Sequence, residues 1–188
     1  RLARNAGLTW RGRGDTALGA GNFDDAVHGY YMAVTRDHGL AASGGDGEVL
    51  FELVREFRED VGKVPDRAQA AALSALYRAH HELQRENLPG SQLEVRRAGG
   101  LAESLPTGRS IGNRLKNLRE AEGHERAKEW LAEAEGMEKA GNVDKAIALY
   151  ERVARVKGLA EAAECAQRAR ELRASLSTGR QRGNALAS

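Results

Sequence analysis

Apolar side chains at Leu50, Leu53, Val54, Phe57 and Val61 recur at steps of three and four, with Glu and Arg residues between them. This spacing predicts an amphipathic helix, closed by Gly62. Pro65-Asp66 opens a further helix whose stripe is Leu73, Leu76, Tyr77 and Leu83 and which ends near Asn87. Ahead of these, Trp10, Gly14 and Ala17 share one face, Gly21-Asn22 interrupts, and a helix from about Phe23 carries Ala26, Val27, Tyr30 and Ala33 on one side. Gly39 ends it, and Ser43-Gly44-Gly45-Asp46-Gly47 reads as a loop. From Pro89 to about Glu122 the apolar positions scatter among Gly, Ser and Arg, which predicts a long connection holding one short helix near Ile111–Glu120. Three helices follow, over Arg126–Ala140, Val143–Val156 and Leu159 to about Ala174, and the chain then ends in a small, polar, frayed tail. The chain thus divides into a helical region 1–87, a basic connection 88–122, a helical region 123–175 and a basic tail 176–188.

Composition agrees with an all-α protein. Ala, Leu, Glu, Arg and Lys dominate the 188 residues, while aromatic residues make up 5%. The three prolines, Pro65, Pro89 and Pro106, stand where helix boundaries are predicted. No stretch approaches the roughly 20 apolar residues that span a bilayer. The single cysteine, Cys165, excludes an intrachain disulfide, cysteine-based zinc sites and CxxC redox chemistry. The first residue is Arg1 rather than Met, which leaves room for a leader, a tag or a further domain. The compartment stays open, with cytoplasm as the default and a processed envelope or secreted protein as the alternative. The net charge of +2 is unevenly placed. Val95–Arg119 holds six basic residues against Glu103, and Ala166–Ser188 holds five against Glu171, so the remainder is acidic. That asymmetry points to an anionic partner or to contact between the two parts.

An internal repeat changes the fold reading. Gly21-Asn22-Phe23-Asp24-Asp25-Ala26-Val27 with Tyr30 matches Gly141-Asn142-Val143-Asp144-Lys145-Ala146-Ile147 with Tyr150, at an offset of 120. Trp10 and Trp130 each stand eleven residues before the glycine. The pattern describes two antiparallel helices. Trp anchors the first, Gly ends it through a left-handed backbone, and Asp caps the second. The small Ala then marks the closest approach, and Tyr fills the space towards the next hairpin.

At these residues the chain resembles the tetratricopeptide-repeat family. Trp10, Gly14, Ala17, Ala26, Tyr30 and Ala33 sit at the family's signature spacing, as do Trp130, Ala134, Met137, Ala146, Tyr150 and Val153. Arg13 and Glu133 replace the usual Leu, and His38 and Gly158 stand where the family has proline. A third, degenerate copy runs from Phe51 through Gly62 to Ala68, with one residue inserted. The resemblance implies stacked helical hairpins, either a right-handed solenoid or an irregular helical bundle. It also implies a protein-binding groove lined by Arg11, Asp15, Lys128, Leu131 and Glu135. Leu131 and Glu135 break the family's basic clamp for chaperone tails, so a basic peptide or self-association fits better.

A second repeat, Ser104-Leu105-Pro106-Thr107-Gly108-Arg109 against Ser175-Leu176-Ser177-Thr178-Gly179-Arg180, lies in basic surroundings. It reads as a shared way of leaving a helix, with Gly108 and Gly179 as caps. Alternatively it is a linear motif presented twice, or an anion contact through Arg109, Arg114, Arg180 and Arg182. The phosphate-loop spacing is absent, no histidine pair has metalloprotease spacing, and no nucleophile motif occurs. Neither a catalytic site nor a cofactor nor a metal is expected. The function predicted is a protein-binding scaffold whose partner is another protein or a second copy. The alternative is a nucleic-acid or polyanion binder acting through segments 95–119 and 166–188, with Arg96, Arg97, Arg109, Arg114, Lys116 and Arg119 in the first.

Overall fold

The computed structural model describes residues 2–42 and 44–186, and of residues 179–186 the backbone alone. The described residues form helices and turns with no strand. In chain order the helices are α1 Leu2–Gly19, α2 Phe23–Arg36, α3 Glu48–Val61, α4 Arg67–Gln84, α5 Leu88–Ala98, α6 Leu101–Ser104, α7 Pro106–Lys139, α8 Val143–Ala154 and α9 Ala162–Leu186. They gather into two compact units, Arg1–Asn117 and Leu118–Ser188.

In the first unit, α1 and α2 form a hairpin whose turn is set by Gly21 at φ +74°. The amides of Gly21 and Asn22 bond back to Leu18 O and Ala17 O at 2.9 Å each, satisfying carbonyls that the end of a helix leaves free. Asn22, rather than an aspartate, caps α2 by accepting from the Asp25 amide, while Asp24 and Asp25 lie in the first turn where the helix dipole favours acids. A Cβ on Gly29 would stand 2.8 Å from the Gly14 backbone, so these two glycines let the helices meet closely. The core then fills with Tyr30, Leu50, Phe51, Leu53, Phe57, Leu73, Leu76 and Leu83, all fully buried. Each such side chain contributes about 1.5–3 kcal/mol of apolar transfer. Tyr30 meets Phe51 edge-to-face at 5.5 Å between ring centroids, and Ala68, on α4, is exposed.

Segment 88–122 is not a connection with one short helix but consists largely of α5, α6 and the start of α7. Local propensity there is poor, and specific contacts supply what it lacks. Asn87 caps α5, accepting from the Gly90 amide at 3.1 Å. Pro106 pushes Leu105 into extended backbone and opens α7. Glu56 of α3 receives the Thr107 amide at 2.9 Å and its hydroxyl at 2.6 Å, placing a carboxylate on the positive end of α7. Gly108 lies where a Cβ would meet Leu101 O at 2.8 Å, so the chain packs tightly at this entry. Leu105, Ile111 and Leu115 then bury into the same core.

The second unit contains the later part of α7, followed by α8 and α9. Gly141, at φ +77°, repeats the turn of the first hairpin, with Gly141 and Asn142 amides on Glu138 O and Met137 O. Ala127, Ala134, Ala146, Ile147, Tyr150, Val153, Cys165 and Ala169 form its buried core. The backbone of α9 continues to Leu186, well past the predicted stop at Ala174.

Candidate protein-binding cleft

In the second unit, α7 brings Leu131 and Glu135 to one face, one helical turn apart. Across from them, α8 contributes Tyr150, the turn before α9 contributes Glu161, and the start of α9 contributes Glu164, Cys165 and Arg168. These seven residues line a cleft of about 230 Å³. Cys165 and Tyr150 are buried at 3% and 5% exposure and, with the half-buried Leu131, give the cleft an apolar floor and wall. The Tyr150 hydroxyl donates to Glu138 Oε2 at 2.9 Å. Arg168 also binds Glu138 and reaches Glu171 at 3.2 Å, so its charge is spent on two acids. Glu135, Glu161 and Glu164 have no ion pair within the described residues. Burial, followed by Glu164, Glu161 and Glu135, pushes the Cys165 thiol up, which keeps it protonated near neutrality and marks the cleft as negative.

The structure distributes the sequence-predicted groove residues unequally. Leu131 and Glu135 line the cleft; Lys128 does not, and pairs with Glu125 at 2.7 Å. In the first unit, Arg11 donates to Ala41 O at 3.0 Å and holds the segment after α2, while Asp15 accepts the Tyr30 hydroxyl at 2.7 Å. Both are engaged in holding the fold. Arg109 donates to Glu103 O and Ser104 O, at 3.0 and 2.7 Å, and so closes the end of α6. Arg114 is exposed on α7. Arg180 and Arg182 belong to the backbone of α9, and their side chains lie outside the described residues.

No family model, curated protein or solved structure matches this chain.

The second repeat behaves differently in its two copies. Pro106 makes the first copy a helix start, with Gly108 packed inward rather than capping an exit. Ser177 occupies the corresponding place in the second copy, which lies wholly within α9. There Ser175, Ser177 and Thr178 turn their hydroxyls back to Leu172 O and Ala174 O. Among the basic residues of segment 95–119, Arg97 is paired with Glu94 at 2.6 Å. Sequence reasoning missed Tyr150, Glu161, Glu164 and Arg168 as cleft residues. The available signal was the spacing of Glu161, Glu164, Cys165 and Arg168 at three and four along one helix face. No helix among the described residues is long and apolar enough to cross a membrane.

Proposed function

We propose that the chain is a non-enzymatic scaffold that binds another protein, and that the cleft between α7 and α9 receives a basic side chain of that partner. The observation that carries this reading is the meeting of an apolar wall with three carboxylates, none in an ion pair within the described residues, in one small cleft. A lysine or arginine can lay its methylene stem along Leu131 and Tyr150 and place its head among Glu135, Glu161 and Glu164. At about 230 Å³ the cleft falls below the 300–1,000 Å³ usual for small-molecule and cofactor sites. It suits one side chain of a longer peptide. The high thiol pKa of Cys165 argues against a nucleophile there. The tetratricopeptide-like spacing, with Leu131 and Glu135 at groove positions, supports the same reading.

Fluorescence anisotropy with labelled peptides tests this proposal. A Lys/Arg-rich peptide is expected to bind, to weaken as salt rises, and to lose at least about tenfold in affinity on Glu135→Lys or Glu161→Lys. A glutamate-rich peptide is expected not to bind. Preference for single-stranded RNA over the basic peptide, or indifference to both substitutions, would overturn the reading.

A further inference from the structure

The Trp-to-Tyr hairpins are equivalent in sequence and in their turns, yet the faces bearing Trp10 and Trp130 differ at matched positions. In the first hairpin this face is a groove of about 560 Å³ between α1 and α2, lined among others by Trp10, Arg13, Thr16, Asp25, His28 and Gly29. Trp10 is only half-buried, meets His28 edge-to-face at 5.8 Å, and has the Arg13 guanidinium over its ring at 4.5 Å. The offset of 120 takes Arg13 to Glu133 and Asp25 to Lys145, reversing both charges. All four of these side chains are exposed, and none has an ion pair within the described residues. The same offset takes the exposed His28 to Ala148 and the exposed Thr16 to Gly136, each time a larger side chain to a smaller one. Where the first face projects a side chain, the second is small. Trp130 is half-buried on this second face, with Arg152 over its ring at 5.3 Å.

We propose that the protein self-associates, the Trp10 face of one copy docking on the Trp130 face of another. The occupant of each face is a second copy of this chain, identified by reversed charge, and by smaller side chains on the second face, at matched positions. The contact joins unlike surfaces, so it closes into a ring or reciprocal dimer where geometry allows and extends into a chain otherwise. This inference rests on the scaffold reading but uses a surface separate from the acidic cleft.

Sedimentation velocity over a range of concentrations is the test. The two tryptophans provide a second readout, because docking desolvates both indoles and shifts their emission to the blue. Wild-type protein is expected to associate, and more weakly as salt rises. Arg13→Glu and Glu133→Arg, both on exposed positions, are each expected to weaken association at least about tenfold. The double variant, or a mixture of the two single variants, is expected to regain it. A wild-type monomer at every concentration would overturn the proposal, as would association that ignores both substitutions or is not regained on combining them. Binding of the basic peptide, measured on the same variants, is expected to be unchanged; its loss or absence in wild-type protein would count against the cleft, not against this interface.

Discussion

A tyrosine hydroxyl locks each hairpin, but onto acids in different places. Tyr30 donates to Asp15, whose equivalent in the second hairpin is Glu135, whereas Tyr150 donates to Glu138. That one-turn shift leaves Glu135 in the cleft without an ion pair among the described residues. Burial first, and Glu138 second, push the Tyr150 pKa from 10.0 up to about 12, so the folded state favours the neutral phenol. The stabilisation is fully present below the unfolded value. It is lost as pH rises from 10.0 to about 12, because the unfolded chain ionises first. Tyr150→Phe is expected to cost about 1–2 kcal/mol near neutrality, with the gap to wild type closing across that alkaline interval in denaturant titrations. A gap that stays constant with pH would show that the hydroxyl contributes nothing through this bond. Ser91 presents the reverse case: its hydroxyl is fully buried without a hydrogen-bond partner among the described residues. Ser91→Ala is expected to leave stability unchanged or raise it by up to about 1 kcal/mol, read as the thermal midpoint.

At the scale of elements, glycines with the same identity have opposite roles. Gly29→Ala would drive a Cβ to 2.8 Å from the Gly14 backbone, which cannot yield without parting α1 from α2. A loss of about 1–3 kcal/mol is expected. Gly136 lies in the interior of α7 with nothing within 4 Å of its Cβ position, so Gly136→Ala is expected to stabilise by about 0.5–1 kcal/mol. Equal denaturation midpoints for the two variants would contradict this account of the hairpin. Elements with a strong stripe were legible in the sequence. Leu50, Leu53, Val54 and Phe57 fixed α3, and Gly21 and Gly141 fixed the two hairpin turns. Segment 88–122 was not legible, because its order comes from Glu56, fifty-one residues from Thr107 in sequence, and from the inward packing of Leu105, Ile111 and Leu115. Periodicity within a short window cannot register a helix start held by a distant carboxylate. The same limit applies to the cleft. Leu131 and Glu135 were reachable through family-like spacing, whereas Glu161 and Glu164 join them only once α9 folds back beside α7 and α8.

At the scale of the whole molecule, the two compact units differ in what they bury and what they leave exposed. The first buries large Leu, Phe and Tyr side chains, and uses Arg11 and Asp15, two predicted groove residues, to hold its own fold. The second has a core rich in alanine and leaves acids at a cleft, which is where the binding reading is placed. Amide chemical-shift mapping of the full chain during titration with a Lys/Arg-rich peptide addresses that assignment most directly. Saturable shifts centred on Leu131, Glu135, Tyr150, Glu164 and Cys165 are expected, abolished by Glu135→Lys with the remaining spectrum intact. Shifts confined to segment 95–119, or none at peptide concentrations that saturate ordinary peptide-binding clefts, would contradict it.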